Sequence, residues 1–173
     1  MRPGESAVRE ERSLEPITDE DLRRLGAIAA RDRNDLFARR PVLGRRYSAR
    51  LFAVALCQGA AMHRIDGKTG VKDLDVWSFY LEHPEGPYPC RRNGTADFGH
   101  PRFGKTPGSE HFIGRRVDLL GRSLPIASGS DPVRTLRSYL RRQATESARQ
   151  LARKAVVLIE PESLLGTIVW PVS

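Results

Sequence analysis

Residues 51 to 57 read Leu-Phe-Ala-Val-Ala-Leu-Cys, seven apolar residues in a row, closed by Gln58-Gly59. A run this short, ended by glycine, fits a strand buried on both faces, although periodicity alone does not separate it from a buried helix segment. Leu74 to Leu81 is a second candidate strand, rich in Val76, Trp77, Phe79 and Tyr80, residue types that suit a pleated surface. Shorter candidates are Val117 to Leu120, between Gly114 and Gly121, and Thr167 to Trp170 before Pro171. Val156 to Ile159 fits a strand or the end of a helix.

Helical periodicity lies between these runs. Thr18 reads as an N-cap followed by Asp19, Glu20 and Asp21, where negative charge complements the helix dipole. Leu22, Leu25, Ile28 and Ala29 give that helix its apolar stripe, Leu36 and Phe37 continue it, and Pro41 ends it. A second start signal is Asp131-Pro132. From there Val133, Leu136, Leu140, Ala144, Ala148, Leu151 and Ala155 recur every three or four residues, which predicts one long C-terminal helix over about 132–155. The expected class is therefore α/β (α+β), a small mixed sheet flanked by helices. The expected organisation is a mobile N-terminal tail over 1–16 and a single domain over 17–173. Residues 84–110, dense in Gly, Pro and Arg, read as a long irregular excursion, too long to be idle in a compact domain.

Composition narrows the function classes. With 173 residues, 39% hydrophobic and 29% charged, the chain is long enough to bury a core and is not of disordered composition. It has no apolar run long enough for a transmembrane helix and no apolar leader, so a cytoplasmic protein without membrane contact is expected. Two cysteines, Cys57 and Cys90, provide neither a disulfide framework nor a zinc set. The net charge is +8, and only four of the 29 basic residues are lysine. Such a surplus attracts polyanions, nucleotides and nucleic acid included.

The chemistry centres on Lys72-Asp73-Leu74-Asp75-Val76-Trp77. In a strand, Asp73 and Asp75 share one face while Leu74 and Val76 turn to the core. Two carboxylates so placed repel one another unless a cation lies between them, and magnesium, a hard ion that prefers oxygen ligands, suits the gap. Asp19-Glu20-Asp21 has a similar spacing but is explained by helix capping. A third acid, Asp118, interrupts an apolar segment, where desolvation calls for compensation. The compensation is a metal ion, or an ion pair with Arg115 or Arg116.

This order of residues resembles the nucleotidyltransferase superfamily related to DNA polymerase beta. Its members share a helix, a strand ending in Gly-Ser, a short helix, Asp-x-Asp or Asp-x-Glu on the next strand, and a third carboxylate on a later strand. The likeness spans about residues 45–120, with Leu51 to Cys57 similar to the first strand and Gln58-Gly59-Ala60-Ala61 to the turn. It implies metal ligands and catalytic residues at Asp73, Asp75 and Asp118, holding Mg2+ or Mn2+. A nucleoside triphosphate would lie along Gly59, Ala60, Lys68, Lys72, Arg91, Arg92 and Lys105. The implied reaction moves a nucleoside monophosphate to an acceptor, either nucleic acid or protein. Ala60 departs from the pattern by replacing the usual serine. The rival readings are a nucleotide- or RNA-binding module that has lost the reaction and a metal-dependent phosphoester hydrolase.

Other letter patterns are set aside. Gly99 to Thr106 spells a P-loop, but Pro107-Gly108 is a poor helix continuation. Asp97-Phe98-Gly99 copies a kinase tripeptide without the other kinase elements. His63, His83, His100 and His111 have no ligand spacing, and His63 is expected to pack or cap. Trp77 is expected in the core, with base stacking as the functional alternative.

Overall fold

The computed structural model describes residues 12–89, 92–108 and 111–172. Among the described residues, five α-helices and six strands follow in the order α1 (Asp19–Arg39), α2 (Pro41–Tyr47), β1 (Leu51–Cys57), α3 (Gln58–Asp66), β2 (Leu74–Leu81), β3 (Arg92–Asp97), β4 (Arg116–Leu124), α4 (Pro132–Arg142), α5 (Glu146–Ala152), β5 (Val156–Glu160) and β6 (Ile168–Trp170). The strands form one mixed sheet in the order β3-β4-β2-β1-β5-β6. Only β2 and β4 pair in parallel; the other neighbours are antiparallel.

Strand alternation sorts the apolar residues into two layers. On one face Val54, Leu56, Leu74, Val76, Val117 and Leu119 pack against Leu22 and Leu25 of α1 and Ala61 of α3. On the other, Ala55, Cys57, Trp77, Phe79 and Leu158 pack against Leu136 and Leu140 of α4 and Leu151 of α5. Helices therefore cover both faces, and the central strands β1 and β2 are almost wholly buried. The first helix starts as expected: the Thr18 side chain accepts from the Asp21 N–H, and the Asp21 carboxylate accepts from the Thr18 N–H, closing a capping box.

Three expectations change. The single C-terminal helix is two. Gln143, at φ 47° and ψ 35°, ends α4 in the left-handed region, and Thr145 starts α5 by accepting from the Ala148 N–H at 3.1 Å. The apolar spacing runs through the break because both helices bury the same stripe against one sheet face, but Ala144, at the interruption, is exposed.

The excursion over 84–110 is also not wholly irregular. It contains β3, which pairs along β4, and a 3-10 turn over Pro101–Phe103. The composition of β3, Arg-Asn-Gly-Thr-Ala-Asp, has little strand preference; its place at the sheet edge and the β4 ladder make it a strand.

Within the expected tail, residues 12–16 are held to the domain. Ser13 exchanges backbone hydrogen bonds with Val71 at 3.0 and 2.7 Å, and the Glu15 carbonyl accepts from His63. Residues 1–11 lie outside the described residues.

Candidate metal centre

β1 ends at Cys57 and the chain turns directly into α3. Gln58, at φ 62°, makes the corner in the left-handed region, and its N–H donates to the Ala155 carbonyl at 3.0 Å. No side chain caps α3, and its first turn carries no acid. Its leading N–H groups and the positive end of its dipole are thus suited to an anion from outside the helix. Gly59 leaves that end open: a Cβ there would meet only the Lys154 Nζ, at 3.8 Å.

β2 lies beside β1, with Asp75 opposite Cys57. Asp73 sits just before the strand and Asp75 within it, both half-buried, while Leu74 and Val76 are buried in the opposite layer, as alternation requires. Because β4 runs parallel to β2 with Asp118 paired to Asp75, the third acid falls on the same face. Side-chain oxygens of Asp73, Asp75 and Asp118 all lie within 4.8 Å of one another. Oxygens sharing one magnesium ion stand about 3.0 Å (adjacent) to 4.2 Å (opposite) apart, given metal–oxygen bonds of about 2.1 Å.

Asp118 is buried, and its Oδ1 accepts from Arg116 Nε and Nη2, each at 2.9 Å. Both forms of compensation expected from sequence therefore meet at this residue: an arginine partner and two neighbouring acids. Burial pushes the Cys57 thiol well above its usual pKa, and the Asp75 charge adds to the effect. The thiol is held neutral.

Asp73 and Asp75 open into a hollow of about 410 Å³ that is also lined by Gly59, Ala60, Lys72 and Trp77. Trp77 is buried and stacks on Phe79 at 6.1 Å, so it forms the floor. Arg12, Gln58, Gly70, Leu120, Gln150 and Lys154 complete the lining. Gln58 belongs to the turn expected from sequence, but nothing in the sequence reading pointed to Arg12, Gln150 or Lys154. Arg12 was assigned to the tail, and Lys154 arrives through the pairing of β5 with β1, which joins residues far apart in the chain. One signal was available: lysine is rare in this chain, and two of its four lysines face the acids.

Several other expected phosphate contacts are not at the hollow. Lys68 is exposed in the α3–β2 connection, where its N–H donates to Asp66. Lys105 is exposed in the loop before β4 and does not line the hollow. Arg102, in the same loop as Lys105, pairs with Asp21 at 2.9 Å and donates to the Pro16 carbonyl, pinning that loop to the start of α1. Arg91 lies outside the described residues. Arg92 is described only as a β3 backbone position opposite Leu120.

Comparison of the chain with protein-family models, curated proteins and solved structures finds no match.

The motifs set aside have structural explanations. The P-loop letters form a 3-10 turn over Pro101–Phe103, and the described residues that follow, 104–108, are not helical. The Asp97 carboxylate accepts from the N–H groups of Gly99, Ile113 and Gly114, at 2.9, 2.6 and 2.9 Å, and so closes the 97–114 loop. Buried His63 accepts from the Gly70 N–H at Nδ1 and therefore donates to the Glu15 carbonyl from Nε2, which fixes a neutral tautomer. No helix among the described residues is long and apolar enough to cross a membrane.

Proposed function

We propose that the chain is a metal-dependent nucleotidyltransferase of the polymerase-beta type. The observation that carries this reading is the parallel, in-register pairing of β2 with β4, which gathers Asp73, Asp75 and Asp118 within 4.8 Å. The surroundings support it. Three acids adjoin an uncapped helix N-terminus and two lysines, a donor set that suits a triphosphate bound through a divalent cation. The order of α1, β1, short α3, β2 with its paired acids and a later strand with a third also follows the pattern expected from the resemblance.

In this reading Asp73, Asp75 and Asp118 would hold Mg2+ or Mn2+, which when bound would supply charge neutralisation on the phosphates and lower the pKa of the acceptor hydroxyl. The N–H groups at Gly59 and Ala60 cradle the outer phosphates, and Lys72 and Lys154 neutralise them as point charges. Asp118 orients the acceptor hydroxyl and favours its deprotonation. The leaving group is pyrophosphate.

A second reading rests on Ala60. It is buried in the first turn of α3, and no hydroxyl stands there to contact phosphate. That favours a module that binds metal and nucleotide without transfer.

The test is incubation with labelled nucleoside triphosphates, Mg2+ or Mn2+ and a cell extract. Transfer labels an acceptor in wild type, and Asp75→Asn lowers the label by about 10³-fold or more while the fold is kept, the scale on which loss of a transition-state charge contact acts. Label that persists in Asp75→Asn excludes this centre. Metal-dependent nucleotide binding with no label supports the module, and release of nucleotides from added RNA or DNA supports hydrolysis.

A further inference from the structure

A second hollow, of about 840 Å³, lies farther along β4 from the acids. Asp118, Leu120 and Arg122 alternate onto one sheet face. Leu120 lines the acid hollow and Arg122 the second one, about 13 Å from Asp118 at 3.3 Å per residue. Its size falls within the usual range of small-molecule sites.

Its walls combine two kinds of recognition. The Arg122 guanidinium sits over the Tyr139 ring, 5.7 Å from the centroid, and donates to Ser147 Oγ at 3.3 Å. Its Nε is buried with no hydrogen-bond partner among the described residues. That nitrogen is closed off from solvent, so Arg122 offers the hollow its charge and its guanidinium plane rather than a free Nε–H. Arg134 and Arg142 stand exposed at the α4 side of the opening, against one carboxylate, Glu82. On the opposite face of β4, Gly121 makes room for Tyr88: a Cβ there would come within 2.6 Å of its ring, which is buried and stacks on Tyr80 at 4.6 Å. The hydroxyls of Thr135 and Ser138 add hydrogen-bonding groups to the lining.

We propose that this hollow binds a nucleobase carrying a phosphate. The arginines meet the phosphate, and the Arg122–Tyr139 pair gives the base a planar surface to stack on. The source is a free nucleotide or the end of a single strand. The site does not depend on the metal reading, because none of its residues belongs to the acid cluster.

The test measures binding in EDTA, which removes any metal-held phosphate at the acids. The probes are adenosine monophosphate, by calorimetry, and a fluorescein-labelled five-nucleotide RNA, by anisotropy. Three proteins are compared: wild type, Arg134→Gln/Arg142→Gln, and a control pair, Arg31→Gln/Arg45→Gln, which removes the same charge from exposed sites on α1 and α2. The expected result is binding of at least one probe by wild type, weakened about tenfold or more in the first pair and less than about twofold in the control. Which probe binds identifies the source. Equal weakening in the two pairs, equal binding by all three proteins, or no binding of either probe by wild type overturns the proposal.

Discussion

Asp118 is buried, lies within reach of two other carboxylates, and is held by both nitrogens of one arginine edge. Arg116 offsets the charge of a buried acid that lies beside like charges, an arrangement folding does not tolerate cheaply without compensation. With Arg116 in place, a cation entering the cluster must share or displace the arginine's hold. Arg116→Gln therefore separates two effects. The metal-free protein loses about 1–3 kcal/mol of stability, seen as a lower Tm. The rise in Tm on adding Mn2+ becomes larger than in wild type, because the competing cation is gone and binding adds RT ln(1 + [L]/Kd). A Mn2+-induced rise smaller than in wild type would show that Arg116 supports the ion rather than competes with it. Asp118 was legible as unusual from sequence alone, since an acid inside Val-Asp-Leu-Leu needs compensation. Which compensation it has was not legible, because Arg115 and Arg116 are equally near in the chain. The fold separates them: Arg115 turns inward to the carbonyls of Phe103 and Lys72, and Arg116 turns to the acid.

At the scale of elements, the break between α4 and α5 and the corner between β1 and α3 use the same device, a glutamine in the left-handed region at Gln143 and Gln58. That region costs a residue with a Cβ about 1 kcal/mol relative to glycine. Gln143→Gly should thus raise Tm or leave it unchanged, and Thr145→Ala should lower stability by about 1 kcal/mol through loss of the α5 cap. Thermal unfolding of the two variants checks both; a Gln143→Gly protein clearly less stable than wild type refutes the turn argument. Glutamine gives no turn signal of the kind Gly, Asn or Pro gives, so the break is invisible to periodicity. The strands β1 and β2 were legible because their apolar residues are consecutive or aromatic. Edge strand β3 was not, because its strand character comes from its neighbour's free backbone groups and not from its own side chains.

For the whole molecule, Asp32 and Asp97 are acids shifted in opposite directions, and pH acts on them oppositely. Burial raises the Asp32 carboxyl above its usual pKa, and the nearby Asp35 charge adds to this against the pull of Arg39 and Arg33. Burial would also raise Asp97, but the N–H groups of Ile113, Gly99 and Gly114 outweigh it and, with Arg24, hold that carboxyl below the usual value. For Asp32 the folded state keeps its proton longer, so its contribution falls as pH rises from the unfolded value of about 3.9 through the folded one. Asp32→Asn should therefore raise Tm at pH 7, and the gain should vanish below about pH 4. For Asp97 the contribution is complete above about pH 3.9 and is lost as pH falls through its lower folded value. A Tm difference between wild type and Asp32→Asn that does not vary from pH 3 to pH 7 rules out this assignment.

The amino-acid order alone determined the alternation of β2, the capped start of α1, the buried run of β1 and the presence of three acids in apolar surroundings. These follow from local periodicity, capping chemistry and the cost of desolvating a charge, all of which act over a few residues. Only the tertiary structure decided that β4 runs parallel to β2 with Asp118 level with Asp75, that Arg12 and Lys154 line the hollow with the acids, and that Lys105 does not. Those outcomes depend on which strands pair and in what direction, and pairing joins residues tens of positions apart through backbone groups that every residue carries alike.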